Sequence, residues 1–146
     1  MALVKKTNKN NNKEVTARSF LIDSGANMSI VSAPSTTRTL ANPIIIQGFN
    51  GSKSSANQMG TVSGSVKAVA AADRERRRKT IQSNIAGIYL PQSKDIISVS
   101  QLTRGNNTEV CFKGDGGSIS LTDMKLSIPL RMDRGLYYMD MNVSIN

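Results

Sequence analysis

Short runs of apolar and β-branched residues, separated by turn-forming residues, recur along most of this chain. Two of them, VTARSFLI at 15–22 and MSIVSA at 28–33, flank the sequence Asp-Ser-Gly-Ala. Runs of this length and composition are typical of β-strands. Further strand-like runs follow at 80–90, 108–114, 117–123, 125–130 and 135–141. The pattern predicts an all-β protein, a small closed barrel or a sandwich.

Two segments add detail to this prediction. Asn50-Gly51 lies between the runs 42–49 and 52–70, and Asn-Gly in such a place is a strong hairpin signal because both residues accept positive φ. Residues 95–105 predict one short helix, with Gly105 as its C-cap. Residues 80–90 are interpreted as a buried strand that ends before a proline.

Composition and length indicate a single domain. The chain has 146 residues, and residues 1–14 are rich in Lys and Asn. We interpret 1–14 as a flexible basic arm, since it has too few apolar residues to offset the entropy lost on ordering, and 15–146 as one domain. The arm is polar where a signal peptide would be apolar, and no apolar run is long enough to cross a bilayer, so we expect no membrane contact.

The absence of histidine and the presence of a single cysteine, Cys111, exclude several kinds of chemistry. A structural zinc site and a Ser-His or Cys-His nucleophile pair would lack their ligands or base, so we expect no metal and no cofactor. An enzyme of this composition would rely on carboxylates for proton transfer. Cys111 is interpreted as a small buried hydrophobic residue, and Ile96, Ile97 and Met124, Met132, Met139 and Met141 as core or interface residues.

The formal net charge of +9 is concentrated in two clusters, the arm and the segment DRERRRK at 73–79. A solvated loop is the favoured interpretation of the second cluster. The alternative is a weak electrostatic contact with RNA or an acidic partner. Neither cluster contains aromatic residues that could stack on bases, so such a contact would be independent of sequence.

Asp23 ends an apolar run and is followed at once by Ser24-Gly25-Ala26. A buried, isolated carboxylate is unfavourable unless it is hydrogen-bonded, paired or protonated. One interpretation is a strand that ends in a solvated turn, since Asp, Ser and Gly are common turn residues. The other is a catalytic carboxylate.

Three stretches in order, FLIDSGA, YLPQSKDIISVSQL and RGLYYMD, resemble the retroviral-type (retropepsin) aspartic proteases, and within them those of Ty1/copia-type LTR retrotransposon polyproteins. Phe20 and Ser29 stand where many copia-type chains carry Trp and His. The resemblance implies a retropepsin-like closed barrel with a flap hairpin. It also implies a homodimer in which each protomer contributes one Asp23, since the chain carries one such motif.

The resemblance also implies roles for the residues around the acid. Ser24 would link the two loops of a dimer, the Gly25 carbonyl would accept a substrate amide, Ala26 would pack beneath the site, and Asn27 would bond substrate backbone. The residues of the flap tip would be Gly48, Phe49, Asn50, Gly51 and Ser52. The C-terminal segment 135–146 is a candidate for the dimer interface, with an internal edge strand as the alternative.

The function implied is processing of a Gag-Pol polyprotein by an activated water molecule, in the cytoplasm within virus-like particles. The partners implied are a second copy of the chain and a polyprotein substrate. One alternative is a non-catalytic dimerisation or RNA-binding module on a protease-like barrel. Another is a segment that is active only inside a longer polyprotein.

Overall fold

The computed structural model describes residues 3–4, 14–47, 51–105 and 107–145, and most of these residues lie in β-strands. One short helix, α1 (Val99–Leu102), and one 3-10 turn (Thr122–Met124) accompany them. The strands are β1 Leu3–Val4, β2 Glu14–Asp23, β3 Ile30–Val31, β4 Thr36–Gln47, β5 Lys53–Ala70, β6 Arg78–Tyr89, β7 Ile96–Ser98, β8 Thr108–Lys113, β9 Gly116–Leu121, β10 Leu126–Asp133 and β11 Leu136–Ile145. The all-β prediction is therefore confirmed.

The strands form one sheet with an unusual connectivity. Its longest path runs β1-β2-β7-β3-β6-β5-β11-β10-β9-β8, and β4 pairs with β5 outside that path. β11 also pairs along β2, from Tyr138 opposite Leu21 to Ile145 opposite Glu14. The pairings thus pass from β2 through β7, β3, β6, β5 and β11 and return to β2. Most neighbours are antiparallel, but β7 lies parallel to β2 and β3 parallel to β6.

Alternation along the strands directs one face of the sheet inward. In β2, Phe20 and Ile22 are buried, and in β11 Met139, Met141 and Val143 are buried. Side chains of successive strand residues point to opposite faces, so this spacing places one apolar row in the core. The other members of that core are Val31, Val62, Val66, Ala68, Ile97, Ile119, Ile128 and Leu130.

The predicted β-hairpin around Asn50-Gly51 is present as β4 and β5, which pair from Gln47 opposite Lys53. Gly51 has φ +78°, a left-handed conformation that glycine adopts without a steric penalty. The predicted flap residues Gly48, Phe49 and Asn50 lie outside the described residues, as does most of the proposed arm 1–14. The two described residues at the start of that arm form β1 and pair with β2.

Several finer predictions are wrong. The helix predicted over 95–105 is only the four-residue α1, because residues 96–98 of that segment form β7 between β2 and β3. The C-cap of α1 is Thr103 rather than Gly105. β6 is not a buried strand: its exposed and partly buried residues alternate until Gly87 and Ile88, because its outer face is open to solvent. Cys111 is exposed on β8, which lies at the end of the sheet.

The remaining corrections concern the methionines and the C-terminal segment. Met139 and Met141 are core residues, whereas Met124 and Met132 are exposed. β11 has strand neighbours on both edges, β2 on one and β10 and β5 on the other. It is an internal strand of the protomer, so its backbone offers no long free edge to a second copy.

An ion pair on the outer surface joins three of these strands. Arg131 on β10 donates to both carboxylate oxygens of Asp140 on β11, at 3.0 Å each, and the Ser19 hydroxyl on β2 donates to the same carboxylate at 2.8 Å. The hydrogen bonds from Arg131 are the main reason that the pKa of Asp140 is lowered from its ordinary value. Both side chains are about half exposed, so the pair contributes modestly to stability.

Candidate active site

Asp23 is the last residue of β2 and lies at the point where the chain turns away from the sheet. Its side chain is partly buried, and its Oδ1 accepts a hydrogen bond from the Gly25 N–H at 2.8 Å. This bond, from an Asp side chain to the backbone two residues later, stabilises a tight turn. The predicted turn is therefore present, and it fixes one carboxylate oxygen while Ser24 and Gly25 remain exposed.

The loop that carries Asp23 connects two strands that are not neighbours. β7 lies between β2 and β3, parallel to the first and antiparallel to the second. Ser98, the last residue of β7, pairs with Asp23. The loop 24–29 must therefore pass over the end of β7 to reach β3, and this topology brings the residues after Ile97 directly beneath the loop.

Hydrogen bonds from the end of β7 hold this loop from below. The hydroxyl of Ser98, which is fully buried, donates to the Ala26 carbonyl at 2.7 Å, and the Ser98 N–H donates to the Ser29 hydroxyl at 2.9 Å. Gln101 in α1 accepts a bond from the Ser29 N–H at 2.7 Å, and its own N–H donates to the Ser98 hydroxyl at 3.2 Å. Satisfied polar networks of this kind are rigid, and this one holds the loop at Ala26 and Ser29 against β7 and α1.

β6 supports the same loop from the other side of β3. The Ile88 N–H donates to the Ser29 carbonyl at 2.9 Å. A Cβ atom on the neighbouring Gly87 would lie 2.7 Å from that carbonyl oxygen and 2.8 Å from its carbon. Only a residue without a side chain allows β6 to approach the loop this closely.

A buried ion pair fixes the segment that leads into β7. Arg18 on β2 donates from Nη2 to both oxygens of Asp95 at 2.8 Å, and from Nη1 to the Ala33 carbonyl at 2.7 Å. Asp95 also accepts bonds from the N–H and the hydroxyl of Ser32, at 2.8 and 3.0 Å. The pair thus joins β2 to the segment that follows β3 and to the residue that precedes β7.

The structure brings some of the predicted site residues together and not others. Asp23, Ser24, Gly25, Ala26 and Asn27 form one short loop, with Ala26 partly buried and Asn27 exposed. The described part of the predicted flap tip, Gly51 and Ser52, is exposed and belongs to the separate β4–β5 hairpin.

Sequence reasoning missed the residues that hold this loop. Ser29 lies far in sequence from Ser98 and Gln101, and all three are common polar residues, so neither spacing nor composition indicated that they would meet. Arg18 lies on the same face of β2 as the buried residues Thr16 and Phe20. An arginine at a core-facing position indicates that it has a buried partner, and this was the signal that could have predicted the ion pair.

The described ranges contain no group of three or more His, Cys, Asp or Glu residues that could hold a metal ion. None of their helices is long and apolar enough to span a membrane.

Comparison with known proteins adds no family assignment. No protein-family model matches the chain, and no curated protein sequence matches it.

We expect the substitution Asp95→Asn to lower the free energy of unfolding by about 3–5 kcal/mol, because it leaves the buried cation of Arg18 without its counter-charge. The amide oxygen still accepts the bonds from Ser32 at the Oδ1 position, whereas the amide NH2 group replaces the oxygen that accepts from Arg18 Nε and Nη2, so the change removes both the charge and these bonds. Urea denaturation measures the effect, and Asp115→Asn, in an exposed turn, is the matched control with a change below about 0.5 kcal/mol. The double variant Arg18→Met/Asp95→Asn should recover part of the loss. If Asp95→Asn were as stable as the control Asp115→Asn, the ion pair of Arg18 and Asp95 would not stabilise this part of the sheet.

We expect Gly87→Ala to displace the acid loop or β6, since its methyl group would overlap the Ser29 backbone, and to cost about 1–3 kcal/mol of stability. Hydrogen exchange should be faster at the Ile88 amide, whose acceptor is the Ser29 carbonyl. Gly114→Ala is the control, because a Cβ there meets no atom within 4 Å. Unchanged exchange at Ile88 in the Gly87 variant would show that the loop does not rest on β6.

Proposed function

We propose that this chain is one protomer of a dimeric aspartic endopeptidase of the retropepsin type, which processes the polyprotein of a Ty1/copia-like retrotransposon. The observation that carries the proposal is the placement of Asp23. The strand β2, buried on one face, ends in this carboxylate at an exposed, hydrogen-bonded Ser-Gly turn, and the loop is supported by β7 and β6. Such rigid support is what a catalytic group needs in order to keep its geometry.

The chemistry requires two such carboxylates. Hydrolysis of a peptide bond by an activated water molecule needs a base that takes a proton from water and an acid that protonates the leaving amine. Two carboxyl groups held close together cannot both ionise readily, so they share one proton and supply both functions. Their titration belongs to the pair, not to either residue.

Three other aspartates are less suited than Asp23 to share a proton, because an arginine holds each of them. Asp95, Asp140 and Asp73 are engaged by Arg18, Arg131 and Arg77 respectively. Within the described residues Asp23 has no cationic partner, and its bond comes from a backbone N–H. A carboxylate without a nearby cation is free to share a proton with a second carboxylate.

Since Asp23 is the one acid followed by Ser-Gly, the second carboxylate would come from another copy of the chain. A two-fold axis near the exposed residues Ser24 and Gly25 would bring the two loops together. The pairing circuit that returns from β11 to β2 supports a closed barrel as the scaffold. The β4–β5 hairpin, with Gly51 and Ser52 near its tip, would serve as the flap that closes over an extended peptide.

The proposed setting follows from the same resemblance. The substrate would be a Gag-Pol polyprotein, processed within virus-like particles in the cytoplasm. No cofactor or metal takes part in the mechanism, because the two carboxyl groups supply both the base and the acid.

The substitution Asp23→Asn tests the proposal. It should leave the melting temperature close to that of the wild type, since the amide oxygen still accepts the Gly25 N–H. Cleavage of a matching Gag-Pol precursor should fall by about 10³-fold or more, because the proton-sharing pair is lost. The control Asp115→Asn should cleave normally, and a pepstatin-type inhibitor should block the wild type. Substantial cleavage by the Asp23 variant would overturn the proposal and favour a non-catalytic module.

A further inference from the structure

A cleft opens on the outer surface where three strands diverge. One edge of β10 pairs with β5 at Leu126 and Ser127 and with β11 from Arg131 onward. Residues 128–130 of β10, between these two pairings, have a strand partner only on the other edge, where β9 lies. Residues 66–68 of β5 and 139–141 of β11 likewise pair on one edge. The gap between these three segments forms a cavity of about 290 Å³.

The lining of the cleft is basic. Lys67, Arg78, Arg131 and Asp140 line it together with three apolar residues of β10, Ile128, Pro129 and Leu130. Arg131 already neutralises Asp140. Its Nε and Nη2 groups make the three hydrogen bonds of this side chain, so its Nη1 group is left as an unused donor. Lys67 donates one bond, to the Thr80 hydroxyl at 2.6 Å. The side chain of Arg78 has no hydrogen-bond or ion-pair partner among the described residues, so the cleft holds a surplus of unused side-chain N–H donors.

The hairpin between β5 and β6 extends this positive surface. Its residues 73–79 contain five cations and two carboxylates. Asp73 is occupied by the turn itself, since it accepts bonds from the Glu75 N–H at 3.0 Å and from Arg77 at 3.1 Å. Arg77 also lies 3.6 Å from Glu75. The acids of the hairpin therefore neutralise Arg77 and leave the other cations unpaired.

These unpaired cations are exposed and occupy both faces of the hairpin. Arg78 faces the cleft, whereas Arg74 and Lys79 line a second concavity together with the ion-paired Asp73, Glu75 and Arg77. Arg76 is held at the turn with φ +58°. Among the described residues, no aromatic side chain lines either concavity, and the ring of Tyr138, close to the cleft, is covered by Arg131 at 5.0 Å. The described part of the site therefore presents charge and hydrogen-bond donors but no ring on which a base could stack.

We propose that this cleft and hairpin bind the phosphate backbone of single-stranded RNA without regard to sequence. A flexible polymer with one negative charge in every repeat unit can enter the cleft and also follow the hairpin, whereas a single small anion would meet only one of these regions. Arginine and lysine donors suit phosphate oxygens, and the lack of stacking surfaces removes base recognition. This proposal is independent of the proposed proteolytic activity, because the site uses none of the residues of the Asp23 loop.

Binding of a labelled, mixed-sequence single-stranded RNA to the full chain, measured at salt concentrations from about 50 to about 200 mM, tests the proposal. The double variants Lys67→Gln/Arg78→Gln and Arg74→Gln/Arg76→Gln remove cations from the cleft and from the hairpin. Arg104→Gln/Lys113→Gln removes the same charge from exposed positions elsewhere and is the control. Thermal melting confirms that each variant is folded.

The slope of log affinity against log salt is negative, and its magnitude should decrease by about 0.7 for each phosphate contact that is lost, in both test variants and not in the control. Arg78→Lys should keep the wild-type slope, because it keeps the charge. RNAs of different base composition should bind equally. The proposal is overturned if the test variants match the control, which would assign RNA binding to other cations, or if polyglutamate at equal charge competes as well as RNA, which would indicate an acidic protein partner.

Discussion

Arg18 and Asp95 meet in the interior of the protein, with side chains that are only 7% and 11% exposed, and their bonds reach three separate segments. Arg18 belongs to β2, Asp95 precedes β7, and the Ala33 carbonyl and Ser32 follow β3. These contacts define where β7 enters between β2 and β3. If either charge were removed, the other would remain buried and unpaired, so this part of the sheet is intolerant of change at both positions.

The position of β7 determines the conformation of the acid loop. Since β7 separates β2 from β3, the loop must cross its end, where the Ser98 hydroxyl and N–H bind Ala26 and Ser29. Gly87 allows β6 to approach from the far side. The ion pair thus positions β7, and the polar network at the end of β7 positions the loop that carries Asp23. Such support holds the carboxylate in a fixed place, which is what the proposed catalytic role would require of it.

The alternation of apolar residues was sufficient to predict most strands, and Asn50-Gly51 was sufficient to predict the β4–β5 hairpin, because both signals are local. The helix predicted over 95–105 was wrong because Ile96 and Ile97 gain parallel strand partners 75 residues away in sequence, and local periodicity carries no information about such partners. The Arg18–Asp95 pair was missed for the same reason. The Asp-Ser-Gly turn was predicted from the residues alone, but Ser29, Ser98 and Gln101 are defined as a network only by the topology.

The central claim is that the loop of Asp23 is half of an active site. Specific activity on a polyprotein precursor, measured as the protein is diluted while its sedimentation is followed, tests this claim most directly. We expect the activity per chain to fall as the dimer dissociates, and an excess of Asp23→Asn chains mixed with wild-type chains to depress it further by forming inactive heterodimers. Constant specific activity at concentrations where the protein sediments as a monomer would contradict the shared site.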